Sequence, residues 1–314
     1  MPIIWDRAKG YSLVELMVAL TIGLIILGAV TSLFVVSKSS YNTLQGLDAL
    51  QENGRYAVRA LTDDVRLAGY AGLVYDPASI SPKVYSTTVT NQCAANWVDI
   101  GQSIFGINAN TATHNANPYS GTCIPATKYK AGTDILILRH ANPQVTTTPA
   151  ANTIYMLTQL DRADFFTGTG VPAGTSPSSI HEVNIHVYYI RPYATVAGDG
   201  IPTLVRSTLI PGPTMVEQPL VEGIENMQVS YGIDTTTPGD NVVDQYVTAA
   251  NVTNWAQVVS VRIEFLVRTP SSEGTYTNNN SYTLGDITIP AANDRFRRGL
   301  FSTTIMLRNH RKSS

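Results

Sequence analysis

Between Lys9 and Lys38 the chain carries a single charged residue, Glu15. Leu16 to Ser37 is a run of 22 residues with no charge at all. As a helix rising ~1.5 Å per residue, it spans roughly 33 Å, about the thickness of a bilayer hydrocarbon core. A carboxylate at the edge of such a segment costs roughly 2.5–3.5 kcal/mol on insertion scales, so Glu15 should have a partner. Arg7 and Lys9 precede the run, which keeps the short leader in the cytoplasm and sends the rest of the chain across. A conventional secretory signal has an apolar core of about 7–15 residues followed by a small-residue cleavage site. Here the run is longer, and Gly28-Ala29 is a weak site. A plain membrane anchor explains the length but neither the Gly10-Tyr11 junction nor Glu15.

Residues 12–68 read as one long helix, or two with a break. Leu44, Leu47, Leu50, Ala57, Leu61, Val65 and Ala68 recur at three- and four-residue spacings and mark one apolar stripe. Gly46 and Gly54 interrupt it and are candidate bends, Arg59 and Asp63 can pair weakly four residues apart, and Gly69 and Gly72 are stop signals. Beyond Tyr70 the period changes to two. Asp134–Arg139, Ile180–Ile190, Thr203–Ile210, Ile224–Ile233, Val259–Arg268, Tyr282–Ile289 and Leu300–Leu307 read as strands. In the clearest of them, Val259, Val261, Ile263, Phe265 and Val267 fall on one face, with Ser260, Arg262, Glu264 and Arg268 on the other. The stretches 108–122, 167–179 and 234–241 read as polar loops. The expected fold class is α+β: a long N-terminal transmembrane or filament helix packed on a mostly antiparallel β-sheet domain, with a second small sheet. The expected organisation is a leader over 1–10, a membrane and assembly helix over 11–37, its amphipathic continuation over 38–70, and a β-rich extracytoplasmic domain over 71–314.

A formal charge of −2 argues against a broadly nucleic-acid-binding surface. The two cysteines, Cys93 and Cys123, lie beyond the apolar segment, where an oxidising compartment would allow them to pair. Closing that ~30-residue loop is worth roughly 3.5 kcal/mol in the chain-entropy model. Two unpaired thiols are the alternative. No catalytic constellation stands out: GxSxG, Walker and HExxH patterns are missing from the sequence, which points away from an enzyme. His181 and His186 are five apart in a predicted strand, face opposite sides and read as strand-flanking polar residues rather than metal ligands. Asp234, Asp240, Asn241 and Asp244 offer oxygen atoms suited to Ca²⁺ but lack EF-hand spacing, so a solvated turn is the better reading. No metal or cofactor is therefore expected. Arg295, Arg297, Arg298, Arg308, Arg311 and Lys312 read as strand-edge charges rather than a DNA or phospholipid patch. Trp97 and Trp255 read as core or loop anchors.

The leader, the Gly10-Tyr11 junction and Glu15 together resemble the class III signal of type IV prepilins. Further blocks resemble PilW-type minor pilins: Leu50–Arg59, Asp64–Tyr70, Gly132–Arg139, Leu220–Gly232, Val258–Arg262 and Arg297–Asn309. The resemblance implies cleavage after Gly10 by a prepilin peptidase and N-methylation of Tyr11, which stands where phenylalanine is commonest. It implies that Glu15 pairs with the terminal amine of a neighbouring subunit, a match of two charges that are each costly in hydrocarbon. It also implies an inner-membrane, single-pass precursor with a periplasmic domain, later placed at the pilus tip. Partners would be other minor pilins, the major pilin and a tip adhesin, in a filament serving twitching motility, adhesion or DNA uptake. The apical subunit of such complexes lacks the carboxylate, so Glu15 implies a place just below the apex. A J-type pseudopilin of type II secretion shares the N-terminal logic and is the runner-up. A membrane-anchored enzyme or binding protein left uncut at Gly10 is the other rival. The loops at 76–130 and 142–180 match no family block.

Overall fold

The computed structural model describes residues 10–74, 80, 89–91, 102–109, 123–274 and 276–309. The chain divides into two units, Met1–Asp48 and Ala49–Ser314. Helix α1, Leu13–Leu67, is unbroken through both Gly46 and Gly54. It ends where expected, with Gly69 at φ 78° and its N–H donating to the Arg139 carbonyl. Gly54 marks a close approach rather than a bend, because a Cβ there would sit 2.5 Å from the Phe301 ring.

The second unit holds thirteen strands among the described residues. β1 (Ile104–Ile107), β2 (Ile135–Val145), β3 (Ile154–Thr158), β4 (Ala163–Thr167), β5 (Ser179–Arg191), β6 (Thr203–Ile210) and β7 (Thr214–Glu222) form one sheet. β5 is long enough for two strands to share one of its edges. β2 pairs along residues 181–188, while β3 takes residues 179–182 and β6 takes residues 186–191. The second sheet runs β13-β10-β8-β9, from β8 (Ile224–Ile233), β9 (Gln245–Thr248), β10 (Val258–Arg268) and β13 (Arg298–Met306). β11 (Tyr282–Leu284) and β12 (Ile287–Ile289) make a separate hairpin. Every pair of named strands is antiparallel. The fold is α+β, a long apolar N-terminal helix with a mostly antiparallel domain and an additional small sheet.

Two cores explain why β2 and β5 are buried almost without alternation. Ala57, Leu61 and Val65 of α1 and Ala68 just past its end, each 0% exposed, pack with Leu136, Leu138, Tyr188 and Ile190 of the first sheet and Met227, Val229, Ile263 and Phe265 of the second. The opposite face of the first sheet, through Ile135, Ile137, Val183, Ile185, Val187 and Tyr189, packs with Ile124, Tyr129, Val205 and Met215. Strand residues of opposite parity therefore meet different apolar surfaces, and both sets are hydrophobic.

Several strand readings need correction. Tyr282–Ile289 is a hairpin, since Gly285 at φ 51° turns the chain between β11 and β12. In β10 a register shift between Val258 and Ser260 moves Val259 off the main core face and puts Val258 on it. Ser260 is fully buried rather than solvent-facing, its hydroxyl donating to the Ile305 carbonyl. Leu44 of the helical stripe is 61% exposed. β7 was not foreseen. Among the described residues β6 is its one partner strand, with a single parallel bridge from Thr90 to Thr214 at its start, so no second ladder runs past Pro219, and the register to β6 shifts there.

Candidate functional site

The membrane-proximal unit presents its chemistry at its start. Gly10 is exposed with open space around it, and Tyr11 is 89% exposed, so the peptide bond between them is accessible. Ser12 and Glu15 then form a capping box: the Glu15 N–H donates to Ser12 Oγ at 3.1 Å and the Ser12 N–H to Glu15 Oε2 at 2.8 Å. The partner that the carboxylate needs is thus provided within the chain by the first helical turn. From Leu13 to Val36 every large apolar side chain is more than half exposed, and the helix is long and apolar enough to cross a membrane. The hydroxyls of Thr21 and Thr31 donate to the carbonyls of Val18 and Leu27, both at 2.8 Å, which removes two polar groups from an apolar surface. The arrangement suits a segment whose surroundings are lipid or the helices of other subunits.

The globular unit holds a polar cluster that sequence reading missed. Asp64 of α1 sits on the buried face of the helix, beside His140 of β2 and His186 and Tyr188 of β5. Asp64 Oδ1 is 3.0 Å from His140 Nε2, and Asp64 Oδ2 is 2.7 Å from His186 Nδ1. Tyr188 donates its hydroxyl to Oδ2 at 2.9 Å. Burial alone would push the Asp64 carboxyl up, but the hydrogen bonds and charge of the two histidines hold it well below the usual carboxylate range. The reading of His186 as a strand-flanking polar residue is corrected: it is 8% exposed and faces the helix. His181 faces the other way, against the Asn142 carbonyl and the Ser179 hydroxyl, in keeping with its odd offset. The available signal was Asp64 itself, an acid three residues after Leu61 and four before Ala68 on the apolar stripe.

Asp134, just before β2, ties the two sheets together. Its N–H donates to the Met227 carbonyl, its Oδ2 accepts from the Val229 N–H at 2.8 Å, and its Oδ1 accepts from the Ala109 N–H at 2.9 Å. Burial pushes its carboxyl up to about 7, against the pull of those two N–H groups.

The other sequence candidates fall to blander roles. Asp234 accepts from the Thr236 and Asn241 N–H groups, Asp240 from Val242, and Asp244 from Thr235, so these carboxylates hold their own turn. Arg298 is paired with Glu225 and Asp294, and Arg297 with Glu273, which leaves little of a basic patch there. Arg295 and Arg308 are exposed, and Arg311 and Lys312 lie outside the described residues. Trp255 packs on Phe105 and Tyr231 as a core anchor, and Trp97 lies outside the described residues. Cys123 is buried in the second core, while Cys93 lies outside the described residues.

Residues 5–31 match the prokaryotic N-terminal methylation motif, and residues 187–309 match the family model of type IV pilus-assembly protein W. No curated protein and no solved structure matches the chain. The first match covers the Gly10-Tyr11 junction, Glu15 and most of the apolar segment. The second covers the end of β5, from Val187, and all of β6 to β13. With a methylation motif at one end and the W-type match over residues 187–309 at the other, the two matches support a PilW-type minor pilin of the type IV pilus.

Proposed function

We propose that this minor pilin primes pilus assembly as part of a tip complex with other minor pilins, the major pilin and a tip adhesin. Cleavage after Gly10 by a prepilin peptidase and N-methylation of Tyr11 create the mature chain. Residues 11–37 then hold it in the inner membrane with its domain in the periplasm, until it enters the filament. Glu15, one helical turn from the new terminus, pairs with the amine of a neighbouring subunit, and its presence fits a place just below the apex. The helix continues from residue 38 to Leu67, residues 71–314 complete the domain outside the membrane, and Cys93 pairs with Cys123. The observation that carries the reading is an exposed apolar helix that opens on an accessible Gly10-Tyr11 bond, with Glu15 as its one acid before Lys38. The J-type pseudopilin reading shares that observation, but the W-type match over residues 187–309 favours the pilus.

The test is the N-terminal mass of the protein from host membranes, with and without the prepilin peptidase. A chain beginning at N-methyl-Tyr11 only when the peptidase is present is the expected result. A chain still beginning at Met1, or one cut near Ala29, overturns it.

A further inference from the structure

Three side chains from three distant stretches converge on one point inside the globular unit. His140 Nε2, His186 Nδ1 and an Asp64 carboxylate oxygen all lie within 4.8 Å of one another, and all three residues are buried. The ring of His140 is the informative one. Its Nδ1 lies 2.8 Å from the Ala141 carbonyl, which can only accept, so Nδ1 carries the proton. Its Nε2 then presents a lone pair to Asp64 Oδ1 at 3.0 Å, also an acceptor. No neutral tautomer satisfies both contacts. Either a second proton or a cation must lie between that nitrogen and the carboxylate.

We propose that Asp64, His140 and His186 are the protein ligands of a divalent transition-metal site, with Zn²⁺ the class of ion that the donor set fits. Two imidazoles and one carboxylate are borderline donors that suit zinc, whereas calcium and magnesium take all-oxygen sets. The Nδ1–H of His140 on the Ala141 carbonyl is the outer bond that ligating histidines usually make, fixing tautomer and ring plane. Tyr188 plays the same part for Asp64 by donating to Oδ2, while Oδ1 lies 3.0 Å from His140 Nε2 and 2.8 Å from His186 Nδ1. Metal bonds of about 2.0–2.1 Å space tetrahedral ligands ~3.3 Å apart, so the 3.0 and 2.8 Å contacts of Asp64 Oδ1 need to open by about half an ångström or less. Such an ion would join α1 to β2 and β5, fastening the helix to the first sheet. This inference stands on the cluster alone and is independent of the role proposed at the pilus tip.

The test uses the full-length protein in detergent, free of any histidine tag, with Zn²⁺ as the probe. After dialysis against metal-free buffer, about one zinc per chain should be retained. A chelator should lower the thermal midpoint, and zinc but not calcium should restore it. His140→Gln and His186→Gln should each weaken zinc binding at least tenfold, roughly the effect of losing one ligand or its support. A wild-type chain that keeps no zinc, and whose midpoint ignores zinc and chelator alike, overturns the proposal in favour of an imidazolium–carboxylate pair. Binding unchanged in both variants also overturns it, by placing the ion elsewhere. Should the variants fail to fold, Co²⁺ loading of the wild type decides. Paramagnetically shifted proton resonances from two imidazole rings support the site, and their absence refutes it.

Discussion

Replacing Asp134 by Asn should change stability by an amount that depends on pH, and its size follows from the structure. The carboxyl is 2% exposed, and burial raises its pKa from 3.8 to about 7. In the unfolded chain the group ionises near pH 4, while in the folded chain it holds its proton to about pH 7. The folded state therefore binds more protons through that window, and the stability that Asp134 contributes is complete below about pH 4 and lost as pH rises through about 7. A shift of about 3 units at 1.36 kcal/mol each corresponds to about 4 kcal/mol. Asparagine cannot ionise, but its amide turns one acceptor into a donor facing the N–H of Ala109 or Val229, at a cost of about 1–3 kcal/mol. Asp134→Asn should therefore destabilise by about 1–3 kcal/mol near pH 4 and become neutral or stabilising by about pH 8. Denaturant unfolding of the full chain in detergent, followed by pulse proteolysis, measures the difference, and subtracting wild type removes groups common to both. A difference that stays constant within about 0.5 kcal/mol across that range would falsify the reasoning. It would mean that the two backbone donors hold Asp134 ionised in spite of its burial.

Gly106→Ala should lose about 1–3 kcal/mol or more, because its Cβ would overlap the hydroxyl of Tyr231, a fully buried ring packed edge-on against Trp255; an unfolding midpoint equal to wild type would show that the ring can yield. Leu61→Ala should cost about 2–5 kcal/mol, since Leu61 is fully enclosed between both sheets, whereas Leu44→Ala, at a 61% exposed side chain, should leave the domain's unfolding unchanged. Glu15→Gln keeps the capping box with Ser12 and removes only the charge, so the protein should stay folded in the membrane while its recovery in sheared pili falls roughly tenfold or more, the equivalent of about 1.4 kcal/mol. Ser12→Ala, which removes half the cap and keeps the charge, should assemble far better than Glu15→Gln, and equal losses in the two would count against a charge pairing.

The elements with a clean period were legible in the sequence. The helix, its stop at Gly69, and β5, β6, β8, β10 and β13 all announce themselves by spacing. What escaped was set by partners far away in the chain. β7 hides behind Pro213 and Pro219, which an edge strand tolerates and a central one does not. β3 and β4 are five residues each, too short for alternation to emerge from a polar stretch. The β10 bulge could not be read either, because Val258 and Val259 are equally apolar and only pairing with β8 chooses between them. The Asp64, His140 and His186 cluster joins residues 46 to 122 positions apart, so no motif spacing could reveal it. An acid on an apolar helical face was its one local sign.

The bonds between Ser12 and Glu15 change what joining a filament would mean for this subunit. A carboxylate already held by its own first turn is not an orphan waiting for rescue. A neighbour's amine would have to win it from the Ser12 N–H, so entry into a filament would exchange one companion for another, and the net gain would be the difference between them. A subunit leaving a filament would close its own first turn again and return to the bilayer without a bare charge.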